Sequence, residues 1–170
     1  MTAKILFSAC LLGEKVRYDG QHKLINSPVI QRWLAKDLIV TACPEVIGGL
    51  SIPRTPAEIM QIKQPPSQLK NDNTDHRLVI MDKNKQDVTQ AFVDGANKTL
   101  AICQLYQIKM AVMTDGSPSC ASSQIYDGSF TGKKIAGQGV TAQLLQNNGI
   151  TVFSQSQLAL AEKYYQSLNS

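Results

Sequence analysis

The run Leu38-Ile39-Val40-Thr41-Ala42-Cys43-Pro44-Glu45-Val46-Ile47-Gly48-Gly49-Leu50 decides how the rest of the chain is read. Its first five residues are almost wholly apolar, the pattern of a short strand buried on both faces. The strand ends on a cysteine, and a proline, an acid and a glycine pair follow at once. Two more segments repeat the arrangement. Ile5-Leu6-Phe7-Ser8-Ala9 runs into Cys10, and Met110-Ala111-Val112-Met113-Thr114 runs into Asp115-Gly116-Ser117-Pro118-Ser119-Cys120. Three buried strands each leading to a thiol predict a parallel sheet whose carboxyl edge gathers three cysteines.

Helical segments fill the spaces between these strands. Lys4–Ala9 reads as the first strand, followed by a loop with turns at Leu11-Leu12-Gly13 and Tyr18-Asp19-Gly20. Ser27-Pro28 opens a helix, serine as cap and proline at the first helical position. Val29, Ile30, Trp33 and Leu34 are read as its buried face. With Leu38–Ala42 it completes a β-α-β unit, which is expected to be parallel and right-handed. Asp87-Val88-Thr89 caps a long helix to about Tyr106, with Phe92, Ala96, Leu100 and Cys103 as its apolar stripe. Val140–Asn147 is a helix that Gly149 stops, Thr151–Phe153 a last strand and Ser156–Leu168 a closing helix. The expectation is an α/β chain, a three-layer Rossmann-like fold with a mainly parallel sheet and one domain over residues 1–170. Residues 51–77, with prolines at 53, 56, 65 and 66, read as a loop-rich insertion, a flap over the site or a flexible excursion. Within it a short strand near Glu58–Ile62 is expected to pair with Leu78–Met81.

Bulk properties narrow the function classes. With 43% hydrophobic and 18% charged residues the chain is globular rather than disordered. A net charge of +4 without any block of basic residues does not mark a nucleic-acid patch. Only nine residues precede Cys10, too few for a secretory leader, and no stretch reaches the roughly 18 apolar residues of a membrane span. A cytoplasmic protein is expected. In that reducing compartment four cysteines point to metal ligands, nucleophiles or core residues rather than disulfides.

Ligands in open α/β sheets bind outside the carboxyl ends of the strands, where Cys10, Cys43 and Cys120 all fall. Cys103 lies mid-helix on the apolar stripe and reads as core. No C-x-x-C pair is present, and His22 and His76 stand in polar loops. Three thiolates without an obvious fourth ligand suit a metal centre with an open position, such as a 4Fe–4S cluster. Catalytic zinc, or a thiol nucleophile with a resolving cysteine, is equally compatible with the spacing. Glu45, two residues past Cys43, is a candidate general acid or base. Ser117 and Ser119 are candidate donors to substrate or sulfur, and Arg54 a candidate anion or carbonyl anchor. Gly137-Gln138-Gly139 before a helix is a weak phosphate motif. Tyr-Asp-Gly occurs at 18–20 and again at 126–128, which reads as a repeated turn.

Nearly the whole chain resembles the bacterial thiouracil desulfidase family. The resemblance rests on Ser8-Ala9-Cys10-Leu11-Leu12-Gly13 with Arg17-Tyr18-Asp19-Gly20, and on Cys43-Pro44-Glu45 with Gly48-Gly49-Leu50. Pro53-Arg54-Thr55-Pro56-Ala57-Glu58, Asp87-Val88-Thr89 with Phe92 and Gly95-Ala96, Ser117-Pro118-Ser119-Cys120 and Tyr126-Asp127-Gly128-Ser129-Phe130-Thr131-Gly132 complete it. The resemblance implies a 4Fe–4S cluster on Cys10, Cys43 and Cys120, with its fourth iron open to the sulfur of a thiolated uracil. It implies release of uracil and sulfide without net redox change, with Glu45 and Ser117 as catalytic residues. Ser8, Gly48, Gly49, Arg54 and Ser119 are then expected to bind substrate, a small thiolated pyrimidine. Whether that pyrimidine is 2- or 4-thiouracil, a thiouridine nucleoside or part of a thiolated tRNA stays open, as does the oligomeric state. Ala121 stands where the family has glycine, and Ser51 where it has proline. Two rival readings are a metal-free dithiol oxidoreductase and an RNA-binding or metal-carrying module without catalysis.

Overall fold

The computed structural model describes residues 3–61 and 78–170. Four short strands make its central sheet: β1 (Ile5–Ser8), β2 (Ile39–Ala42), β5 (Met110–Met113) and β8 (Thr151–Ser154). Their order is β2-β1-β5-β8, and every pairing is parallel. The chain moves outward from β1 to β2, then returns to the other side of β1 for β5 and β8. That reversal lies between β1 and β5, where doubly wound sheets open a crevice.

Residue alternation along the strands builds the two helical layers. Ile5, Phe7, Met110 and Val112 face one side with Ile30 and Trp33 of α1 (Pro28–Ala35) and Ala161 and Tyr165 of α5 (Leu158–Leu168). Trp33 meets Phe7 and Tyr165 edge-on, at ring separations of 5.9 and 5.8 Å, and so pins both helices to β1. Leu6, Ala111 and Met113 face the opposite side with Cys103 of α3 (Thr89–Leu105) and Ala142 and Leu145 of α4 (Val140–Asn147). The result is the expected three-layer α/β/α arrangement.

Several local expectations are corrected. Leu34 is 45% exposed, so α1 buries Ile30 and Trp33 instead. Adjacent helical residues point about 100° apart, and once Trp33 faces the sheet its neighbour faces water. Strand β1 ends at Ser8, and Ala9–Leu12 coil into a 3-10 turn closed by left-handed Gly13. Pro44–Ile47 form a single helical turn, α2, ahead of the glycine pair. The strand expected near Glu58–Ile62 is β3 (Ala57–Ile59), antiparallel to β4 (Ile80–Asp82), with Glu58 opposite Met81. Ile62, His76 and the rest of 62–77 lie outside the described residues. A further hairpin, β6 (Gln124–Tyr126) with β7 (Lys134–Ala136), gives no signal in the sequence. Among the described residues no helix is long and apolar enough to cross a membrane.

Candidate active site

A cavity of about 610 Å³ opens at the carboxyl edge of the sheet, and Cys10, Cys43 and Cys120 all line it. Each thiol arrives by a different local route. Cys10 sits in the 3-10 turn after β1, Cys43 caps α2 directly after β2, and Cys120 ends the loop after β5. Because β2, β1 and β5 are neighbours, residues 33 to 110 apart in sequence meet in one place. None of the four cysteines is in a disulfide. Burial pushes the Cys10, Cys43 and Cys120 thiols up, Cys120 most strongly. Cys103, buried in α3 away from the cavity, is pushed up to about 11 by burial alone.

The acid stands beside the thiols on α2. Arg54 grips Glu45 through both Nε, 2.7 Å from Oε2, and Nη2, 2.5 Å from it. The Ser117 hydroxyl donates to the other oxygen, Oε1, at 3.1 Å. Ser117 is itself fixed, because its oxygen accepts the backbone N–H groups of Ser119 and Cys120. One serine therefore ties the acid to the loop that carries the third thiol. Arg54 spends its remaining nitrogen on the carbonyls of Val16 and Ser51, and its side chain is 8% exposed. Arg54, expected as a substrate anchor, lines the cavity and clamps Glu45.

Among the other expected binding residues, Ser8 lines the cavity, whereas Gly48, Gly49 and Ser119 do not. Gly48 faces Gly95 of α3 so closely that a Cβ on it would stand 2.1 Å from the Ala91 carbonyl oxygen. It lets two helices touch backbone to backbone. Gly49 takes φ +99°, turning the chain out of α2. Ser119 is fully buried and bonds Thr141 Oγ1 at 2.8 Å. The first backbone N–H groups of α4 are taken by the Pro118 and Ser119 carbonyls, so Gly137-Gln138-Gly139 offers no phosphate cradle. Ala121 is buried and is not among the left-handed residues, so alanine meets no backbone strain there.

Several cavity residues carry no readable role in the sequence. Tyr126 and Phe130 line the wall formed by the β6–β7 hairpin. That wall is held by Glu58 of β3, whose buried carboxylate accepts the N–H groups of Gly128 and Phe130 at 2.9 and 3.1 Å. Lys134 stacks over the Tyr126 ring, and Arg17 over Tyr18. Lys23 shares this rim, its ammonium pushed down by burial and by Arg17. The repeated Tyr-Asp-Gly is a turn at both places, with Gly20 and Gly128 left-handed. The tyrosine of each copy lines the cavity.

Comparison with known proteins agrees with this geometry. Residues 5–157 match the 2-thiouracil desulfurase family. The chain belongs to that family. A relative from Bacillus subtilis (strain 168), the uncharacterized protein YbbK, is 40% identical over 154 residues, covering 91% of this chain and 97% of its own. A solved structure, the 4Fe-4S-dependent thiouracil desulfidase TudS, superposes with a TM-score of 0.84 at 40% identity. The superposition covers 96% of this chain and 98% of that one. The 2-thiouracil desulfurase family match spans all three cavity thiols, Glu45, Arg54 and Ser117.

Proposed function

We propose that this chain is a desulfidase that converts a thiouracil-type base and water into uracil and hydrogen sulfide, with no net oxidation or reduction. The observation that carries the reading is the convergence of three thiols, from three neighbouring strand ends, on a cavity that also holds a clamped carboxylate. The reading assigns Cys10, Cys43 and Cys120 as holders of a 4Fe–4S cluster. The donor set fits: soft thiolates favour iron–sulfur clusters, and Cys10 and Cys120 are buried beside half-buried Cys43. Among the described residues no group of three His, Cys, Asp or Glu is arranged around a single ion. When bound, such a cluster supplies a sulfur-seeking Lewis acid with one position not taken by protein.

The remaining chemistry falls to side chains. Glu45 takes a proton from the water that adds at the ring carbon and returns one to the departing sulfur. Arg54 and Ser117 hold both its oxygens in place for that transfer. Tyr126 and Phe130 offer flat apolar surface to a pyrimidine. The cavity volume lies within the roughly 300–1,000 Å³ of small-ligand sites, which favours a free base or nucleoside over a tRNA. Four free cysteines agree with a reducing, cytoplasmic location.

A dithiol oxidoreductase needs a thiol with a lowered pKa, and burial pushes all three cavity thiols the other way. The test is anaerobic purification with iron and sulfide analysis, followed by incubation with 2- and 4-thiouracil. The expected result is about four iron atoms per chain and release of sulfide matched to loss of the thiocarbonyl absorbance. Turnover by metal-free protein, or none by loaded protein on either base, would reject the proposal.

A further inference from the structure

We infer that Thr114 is a positioning residue that donates a hydrogen bond to the Cys10 sulfur and so sets the charge that this ligand carries. The inference rests on reading Cys10 as a cluster ligand. Thr114 follows β5 directly, and Cys10 stands in the turn after the adjacent β1. Their Oγ1 and Sγ atoms are 3.0 Å apart. Thr114 is 7% exposed and Cys10 8%, so water offers little competition. Between a hydroxyl and a thiol either group can donate. A metal-bound thiolate carries no proton, and then the hydroxyl must.

The backbone around this hydroxyl is locked. The Thr114 N–H donates to Ser8 Oγ at 3.1 Å, and Ser8 is buried at the end of β1. A buried hydroxyl costs stability unless it finds a partner, and the Cys10 sulfur is its partner. Valine would fill the same space without the donor. A hydrogen bond draws negative charge off a ligand sulfur. It thereby favours the reduced, more negative form of a cluster and raises its reduction potential.

The experiment compares wild-type, Thr114→Val and Thr114→Ser proteins, each reconstituted anaerobically and assayed for iron, sulfide and midpoint potential by dye-mediated titration. Thr114→Val should hold the same iron at a lower potential, and Thr114→Ser should return it toward the wild-type value. Thr99→Val is the control. It removes another buried hydroxyl, bonded to the Gly95 carbonyl away from the cavity, and should leave the potential unmoved. A loaded Thr114→Val with wild-type potential, or a serine variant that fails to restore it, overturns the inference alone. A wild-type protein that takes up no cluster overturns the ligand reading and this inference with it. If Thr114→Val folds but does not load, loaded wild-type protein carries the test through resonance Raman in H₂O and D₂O. Deuteration should displace the iron–thiolate stretching bands, and unmoved bands would refute the bond.

Discussion

Replacing Gly95 by alanine adds one methyl group where α3 passes closest to α2. A Cβ built there stands 2.0 Å from the Pro44 carbonyl oxygen and 2.8 Å from its carbon. Ordinary contact begins near 3.4 Å, so 3.4 − 2.0 = 1.4 Å of separation must be recovered. The carbonyl cannot swing aside cheaply, because it accepts the Gly48 N–H at 2.8 Å within α2. The short helix must therefore move as a body, and Cys43 at its cap and Glu45 in its first turn move with it. Overpacking of this kind costs about 1–3 kcal/mol, offset by about 1 kcal/mol for alanine over glycine in a helix. The net loss of about 0–2 kcal/mol lowers the melting temperature by at most roughly 8 °C in a domain of this size. Turnover should suffer far more, since a misplacement near 1 Å costs about 10²-fold. Steady-state thiouracil desulfuration, normalised to iron content and set beside a thermal melt, gives both quantities. Near-normal turnover in fully loaded Gly95→Ala protein would refute the claim that this contact places the site.

Replacing Cys10, Cys43 or Cys120 by alanine should abolish cluster binding, whereas Cys103→Ala should keep it and lose about 1 kcal/mol from a small cavity; iron analysis and denaturant melts read the two effects. Glu45→Gln should retain iron but lower single-turnover rates by roughly 10²–10⁴-fold, and a loaded variant with normal rates would move the proton-carrying role elsewhere. Asp115 bears on acid stability. Burial alone would raise its carboxyl, but hydrogen bonds from the Ser123 side chain and the Gln124 and Ser123 backbone outweigh it and hold it below the usual range. The unfolded chain binds that proton more readily, so the contribution is full above about pH 4 and fades as pH falls through the folded value. Asp115→Asn should therefore lower stability at pH 7 and flatten its loss toward acid in melts across pH.

The sheet, its parallel order and the gathering of three thiols were legible because β1 and β5, buried along their whole length, leave continuous apolar runs, and these two and the half-buried edge strand β2 each lead to a cysteine. What stayed hidden depended on contacts across the chain. Arg54 and Glu45 are nine residues apart, and nothing local says that the guanidinium turns back to clamp the acid. Gly48 reads as turn flexibility until α3 is seen to press against it. The β6–β7 hairpin escapes because its strands are three residues long and only Ile125 among them is fully buried. Thr114 looks like the last residue of a strand, since sequence does not reveal which residue of the neighbouring strand's turn it will face.

The clasp between Glu58 and the loop at Gly128 and Phe130 divides the labour of the cavity. The thiols hang from the rigid parallel sheet. The aromatic wall belongs to the β6–β7 hairpin, which the Glu58 carboxylate bonds to the two-stranded β3–β4 sheet. Substitutions at the tip of the wall, as at Phe130, can reshape it while β6 stays bonded to Gly116 and Asp115 of the loop that leads to Cys120. Over evolutionary time such a protein can explore new ring substituents by rewriting the tip of that hairpin, while the strand ends that bear the cysteines stay as they are.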